Sequence, residues 1–481
     1  LYHVLLKSDL QSVVILHIMF RHFIRKDSVS RVLSSFLRSL SSSSQVKISE
    51  KMAPSVTVTP DRCLQDVPVT LRVTGLSKNE HYTISSSIND SKGVTFVALA
   101  HYRSDETGTI DVTKQPALGG HFLGLFPMGL FFNIMPNKSD YKHHRFSYKD
   151  VTKPLLFDIA VYEGSFAPHI AMMSAEGMGL TPVCTVEHSR LLQAPGSKRI
   201  IVNEGKIRGV LHLPPGRGPF PGVVDMFGSA GGLMEHRSSL LAARGIAALA
   251  LAFFDYEDLP KTLDNFHMSY FEEAVNYLAS REEVYGDGVG AISVSKGGDL
   301  VLSMARHLPL VKAGVVINCC AANAVSTLTL NDGTVIPALK FDISRVRLLR
   351  DGCMDAHDMM DDLADYPECA IEVERIPGDI MWIVGVDDKN WDSVGHAQVA
   401  VDRYKKAGRD HKLQVLKYEG AGHLIEPPYT PFCDLSYHKV VRTGMVWGGQ
   451  PKQHCQAQVD SWQRIQDFFH DRLTPDPKTK L

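Results

Sequence analysis

The chain has 481 residues, 44% of them hydrophobic and 22% charged, and a net charge of −2. That length exceeds one ordinary domain and suits two plus a tail, while the near-neutral charge excludes the strong basic excess that a nucleic-acid partner requires. Its eight cysteines lack paired CxxC spacing, which excludes a compact disulfide framework and argues against a zinc site, so they read as reduced intracellular thiols.

Residue 1 is leucine, and Met19 and Met52 are both candidate starts. Between Met19 and Lys51 stand seven Lys/Arg residues (Arg21, Arg25, Lys26, Arg31, Arg38, Lys47, Lys51) against Asp27 and Glu50, with serines at 39 and 41 to 44. Leu33, Phe36, Leu37 and Leu40 recur at helical spacing and would line one face of a basic amphipathic helix. Segment 1–51 is therefore expected to be a mitochondrial targeting segment or a disordered one; without it the chain is expected in the cytosol. Thr479-Lys480-Leu481, in the tail 473–481, resembles the peroxisomal Ser-Lys-Leu signal with its first position changed, and a solvated basic tail explains it equally.

Past Met52 the pattern becomes alternation. Val67, Val69, Leu71 and Val73 alternate with polar or small neighbours, and Leu155, Phe157, Ile159 and Val161 repeat the pattern. Strand-like stretches run from Tyr82 to Ile88 and from Val94 to Tyr102, separated by Asn-Asp and Gly turns. Residues 52–198 thus read as a β-sandwich with no helix pattern of any length, and no chemistry stands out there. The apolar run from Phe122 to Met135 is broken by Gly124, Pro127 and Gly129. It is too short and too interrupted to span a bilayer, so no integral membrane segment is expected.

From about residue 199 to 472 continuous apolar runs alternate with helical patterns. The runs are Pro221 to Met226, Gly245 to Phe253, Val289 to Val294, Val315 to Ile317 and Ile380 to Val386. The helical stretches include Phe266 to Arg281, Gly297 to His307 and His396 to Ala407. This alternation specifies a parallel sheet covered on both faces, with chemistry at the carboxyl ends of its strands. The expected fold class is α/β, a parallel-sheet domain preceded by an all-β sandwich.

Ser295 sits in Ser293-Val294-Ser295-Lys296-Gly297-Gly298, between the run Val289 to Val294 and a helix. A serine there, with small residues two before and two after, fits the nucleophile elbow. The usual pattern is Gly-x-Ser-x-Gly; Ser293 replaces the first glycine and is small enough to fit. Ser293 is the rival nucleophile, but it would still lie inside the strand. The turn points the Lys296 N–H at a developing oxyanion. Phe227-Gly228-Ser229-Ala230-Gly231-Gly232 follows an early strand, so Gly228 and Ser229 are candidates for the second oxyanion donor. Later members follow the order serine, acid, histidine. Asp387 and Asp388 both emerge from the run Ile380 to Val386, and Asp388, further past the strand, reaches a loop histidine more easily. Gly420-Ala421-Gly422-His423 delivers that histidine, His423, as general base.

These segments resemble a known family. Residues 221 to 228 (Pro-Gly-Val-Val-Asp-Met-Phe-Gly), Tyr256 to Thr262, Ser295 to Gly298, Gly385 to Trp391 and Gly422 to Tyr429 are similar to the acyl-CoA thioesterase and bile acid-CoA:amino acid N-acyltransferase family. Pro116 to Gly120 and Pro127 to Leu130 extend the likeness into the sandwich. The resemblance implies a sandwich followed by an α/β-hydrolase, with a triad of Ser295, Asp388 and His423. It also implies a division by nucleophile, in which thioesterases carry serine and amino-acid conjugating enzymes cysteine. An acyl-serine ester is readily opened by water, whereas an acyl-cysteine thioester suits attack by an amine.

The expectation is hydrolysis of fatty acyl-CoA through an acyl-serine, with acyl-CoA as partner, no metal or organic cofactor and an open oligomeric state. An acyltransferase or a catalytically silent binding protein are the rivals. The acyl chain is expected under segment 325–378, which is too long for a simple connection. Lys296, Arg237 and Lys261 are candidate cations for CoA phosphates, each also readable as a solvated surface charge.

Overall fold

Burial alternates along the strands Ser55–Thr59 and Thr70–Thr74, leaving Val56, Val58, Leu71 and Val73 inside. One apolar face per strand requires a second layer. The computed structural model, which describes residues 53–137, 142–165, 180–349 and 352–475, supplies it. A three-stranded sheet (Ser55–Thr59, Thr70–Thr74, Ile110–Asp111) shares its core with a larger sheet. That larger sheet runs in the order Arg62–Leu64, Cys184–Leu191, Leu155–Glu163, His81–Asn89, Thr95–Arg103, Gly119–Gly120. Segment 1–51, both candidate starts and Thr479-Lys480-Leu481 lie outside the described residues.

The sandwich does contain helix, contrary to expectation: one turn, Gly129–Phe132, buried throughout. Four residues are too few to show a period of 3.6 in the sequence. Phe131 and Phe132 fill the sandwich core, each worth about 1.5–3 kcal/mol by burial. Phe126, Met128, Leu130 and Ile134 of the apolar run join them there, while Leu123, Leu125 and Met135 stay exposed. Among the described residues no helix is long and apolar enough to cross a membrane.

The second sheet has eight strands: β1 (Lys198–Val202), β2 (Arg208–Leu213), β3 (Gly222–Asp225), β4 (Ala247–Ala252), β5 (Val289–Val294), β6 (Val311–Ile317), β7 (Asp379–Gly385) and β8 (Leu413–Tyr418). Their order is β1-β2-β4-β3-β5-β6-β7-β8. β2 is antiparallel to both neighbours, and every pairing from β4 to β8 is parallel. Neighbouring residues face opposite sides: Val224 and Ala291 enter one core, Val223 and Ile292 the other. Helices α1 (His236–Ala243), α2 (Met268–Ala279), α3 (Lys296–His307), α4 (Ser393–Lys406) and α5 (Pro451–Leu473) surround it. α3 supplies Leu300, Val301 and Met304 to the first core, and α5 supplies Trp462, Ile465 and Phe469 to the second. The α/β-hydrolase sheet thus brings the ends of β3, β5 and β7 to one edge, with β3 beside β5 and β6 between β5 and β7.

Pro54–Leu481 is one compact unit. Tyr429 and Cys455, from the β8–α5 loop and α5, enter the sandwich core. Asp66 of the sandwich accepts from Arg244 at 2.7 and 2.8 Å and from Trp462 Nε1 at 2.8 Å.

Candidate active site

Strand β5 ends at Val294 and α3 begins at Lys296, so Ser295 must reverse the chain in one residue. It does so at φ 57°, ψ −134°, a left-handed backbone that costs a non-glycine residue of order 1–3 kcal/mol and marks functional turns. The turn is crowded. A Cβ on Gly297 would lie 1.9 Å from Ser293 Oγ and 2.3 Å from the Phe227 carbonyl oxygen, so only glycine fits there. Ser293 is fully buried, and its hydroxyl donates toward the carbonyls of Met226 (2.8 Å) and Phe227 (3.2 Å). A serine is therefore accommodated at the glycine position by bonding to the neighbouring loop, and its oxygen faces away from the cavity.

Ser295 and His423 line the same cavity, of about 200 Å³. His423 Nδ1 lies 2.7 Å from Asp388 Oδ2, and both side chains are buried. Asp388 Oδ2 also accepts from Ser393 Oγ at 2.5 Å, and Oδ1 from the N–H groups of Asn390 (2.8 Å) and Trp391 (3.1 Å). Four donors thus fix the orientation of that carboxylate. Asn390 Nδ2 donates to His423 Nε2 at 3.3 Å, so the imidazole carries its proton on Nδ1 and leaves Nε2 basic. The ring stacks on Trp447 at 5.6 Å and 19°. Asp387 points elsewhere, to Lys389 (2.9 Å) and the Gly449 N–H (3.0 Å). The geometry thus joins Asp388, not Asp387, to His423.

The oxyanion candidates gather around the serine. Lys296 is the first residue of α3, where the N–H has no intrahelical acceptor. A Cβ on Gly228 would lie 3.0 Å from Ser295 Cβ and 3.6 Å from Ser295 Oγ. Ser229 lines the cavity and bonds to His438 through Oγ and Nε2, 3.0 Å apart.

Two expectations are corrected. No described residue of 325–378 lines this cavity; Leu328, Leu339, Ile371 and Val373 of that segment instead pack into the sheet core. For these four, burial against the β-sheet offers more apolar contact than a small cavity does. Lys296 and Arg237 are not surface cations either. The Lys296 ammonium is fully buried, 3.0 Å from both Asp299 Oδ2 and Asn323 Oδ1, and Arg237 is buried against Asp225 at 2.8 and 2.5 Å. A buried cation requires such a partner, and neither head reaches the cavity. Lys261 is exposed, donating to the Glu257 carbonyl at 2.7 Å, and lies off the cavity lining.

The cations that do line the cavity are Lys92, Arg145 and Lys439, two of them from the sandwich, where the sequence showed no chemistry. Arg145 Nη2 donates to Glu426 Oε2 at 2.6 Å, and His236 Nε2 lies 3.0 Å from Glu426 Oε1. Burial alone would raise the Glu426 carboxyl, but Arg145 and His236 outweigh it and hold it down at about 2. Arg145 also lies over the Phe227 ring at 5.3 Å, and Tyr148 stacks on His236 at 5.1 Å. The loop ahead of Gly228 is thereby packed by the sandwich.

Similarity to known proteins runs through both parts of the chain. Residues 66–204 match the acyl-CoA thioester hydrolase/BAAT N-terminal region, and residues 266–475 match the BAAT/acyl-CoA thioester hydrolase C-terminal region. Acyl-coenzyme A thioesterase 1 of Homo sapiens is 43% identical over 88% of this chain and 97% of its own. The human relative named acyl-coenzyme A thioesterase 2, mitochondrial, is 42% identical over 89% and 86%. Acyl-coenzyme A thioesterase 3 of Mus musculus is 41% identical over 89% and 96%. Among solved structures, a dienelactone hydrolase-like promiscuous phosphotriesterase aligns over 57% of this chain and 98% of its own, with TM-score 0.33 and 18% identity. At that level the fold rests on the strand order itself.

Proposed function

This chain belongs to the acyl-CoA thioester hydrolase/BAAT family, and from that premise we propose that it hydrolyses fatty acyl-CoA to fatty acid and CoA. Residues 52–198 form the supporting sandwich and 199–472 the catalytic domain. The observation that carries the proposal is a serine on a strained strand-to-helix turn, sharing a cavity with a histidine that Asp388 holds.

Ser295 Oγ attacks the thioester carbonyl as His423 Nε2 takes its proton. Asp388 keeps the ring in the tautomer with Nδ1–H and stabilises the imidazolium. The tetrahedral oxyanion faces the Lys296 N–H and the Gly228–Ser229 turn. His423 then protonates the departing CoA sulfur, and the acyl-serine ester awaits water. Water attacks with His423 again as base, and collapse of the second tetrahedral intermediate frees the fatty acid and restores the serine. Nothing in the cycle needs a metal. The serine nucleophile favours water over an amine in the second half. Mitochondrial and cytosolic placements both fit the family, and the basic, serine-rich segment before residue 52 supports the former.

Thiol release from palmitoyl-CoA, with and without taurine and with products resolved by mass, tests the proposal. Wild type is expected to give free fatty acid in both cases, and Ser295→Ala to give none. An N-acyl taurine product would move the chain to the transferase branch, and equal turnover by Ser295→Ala would remove the serine mechanism.

A further inference from the structure

Beside the triad the cavity holds a second serine–histidine pair, Ser229 and His438, whose side chains the cycle above does not use. Ser229 follows Gly228, which abuts the nucleophile, and both line the cavity with Ser295 and His423. His438 reaches it from the strand Leu435–His438. Its ring lies 5.9 Å from Trp447, the indole that stacks on His423.

The hydrogen bonds of His438 fix its tautomer. The backbone N–H of Val441 donates to Nδ1 at 3.3 Å, so Nδ1 is the acceptor and the neutral ring carries its proton on Nε2. Burial, reinforced by His423 and Arg145, pushes this imidazole down to about 4, so neutral is its state in ordinary buffers. Nε2–H therefore donates to Ser229 Oγ, 3.0 Å away. That bond occupies a lone pair of the hydroxyl and leaves its proton unspent. Among the described residues no acceptor takes it, and the cavity in front of Ser295 is where an acceptor would arrive.

We propose that the Ser229 hydroxyl is a further oxyanion-hole donor, and that His438 is the positioning residue that aims it by donating to its oxygen. The inference rests on the hydrolytic reading of Ser295 but extends it to a side-chain donor beside the backbone ones. No proton is transferred. The Ser229 O–H keeps its hydrogen and donates it to the oxygen that gains charge when Ser295 Oγ bonds to the carbonyl carbon. Because that oxygen accepts more strongly as an anion than as a carbonyl, the bond stabilises the transition state above the ground state.

The test uses the full chain on two substrates, palmitoyl-CoA and p-nitrophenyl butyrate; the ester needs an oxyanion hole but no CoA recognition. Ser229→Ala is expected to lower kcat about 100-fold, the lower end for loss of one oxyanion donor, with KM within about two-fold. Affinity for a trifluoromethyl ketone, which forms the oxyanion with Ser295, should fall in parallel. Ser229→Thr should retain most activity. His438→Ala should lower kcat, and the double variant should be no worse than Ser229→Ala alone, since His438 acts only through that hydroxyl. His438→Gln, which keeps an N–H donor, should be milder than His438→Ala. Wild-type kcat in Ser229→Ala would overturn the proposal, as would a His438→Ala loss that adds in full to that of Ser229→Ala. If wild type cleaves the ester but not palmitoyl-CoA, the thioesterase proposal falls, and the same variants on the ester still decide the role of Ser229.

Discussion

Asp387 and Asp388 are adjacent and chemically identical, yet they face different partners. Asp388 takes four donors, including Ser393 Oγ and the imidazole of His423, whereas Asp387 meets Lys389 and the Gly449 N–H. Asp388→Asn is expected to lower kcat about 10⁴-fold by destroying the tautomer that Nδ1–H···O⁻ maintains. Asp387→Asn should stay within a few-fold, and steady-state thiol release from the same acyl-CoA compares them; equal losses would contradict the assignment. Ser295 was legible because an elbow is local, set by small residues two places either side. Ser393 and Asn390 were not, because their use depends on how the turn after β7 folds. Trp447 and His438 meet the site from a separate hairpin, and no spacing in the chain announces that.

Among elements, the long buried strands were legible and the short ones were not. The apolar run Val289 to Val294 is a strand over those same residues, since a strand buried on both faces needs no alternation to be read. Segment 325–378 holds strands and 3₁₀ turns of two or three residues, too short for either period to register. Its length suggested a cover for the acyl chain, yet Leu328, Leu339, Ile371 and Val373 belong to the sheet core, while Met354, Ala356 and Met359 pack with Leu424 and Trp447. The sandwich was legible as strands from alternation, but its contribution to the cavity was not. Arg145 and Tyr148 lie on an irregular stretch whose role depends on partners far along the chain, Glu426 being 281 residues from Arg145.

In the whole molecule, sandwich and hydrolase sheet share buried charge next to the catalytic serine. Glu426→Gln would leave Arg145 without its anion, a change expected to cost about 3–5 kcal/mol for a buried pair losing one partner; urea unfolding measures it. The pair also sets a pH dependence. Burial would raise the Glu426 carboxyl, but Arg145 and His236 bring it to about 2 in the folded chain, below its ordinary 4.5. A depressed folded value means that its stabilisation is complete above 4.5 and disappears as pH falls toward 2. Wild type should lose stability across that window by an amount missing from Glu426→Gln. An identical acid profile in the two proteins would show that Glu426 is not held by these partners.

The central claim is that acyl-CoA acylates Ser295. Mixing the protein with palmitoyl-CoA, quenching in acid within the first turnovers and mapping peptides by mass tests it most directly. The account predicts a palmitoyl adduct on the peptide containing Ser295, formed with stoichiometric CoA release and absent from Ser295→Ala. An adduct confined to another residue, or CoA release without any adduct and unimpaired in Ser295→Ala, would contradict it.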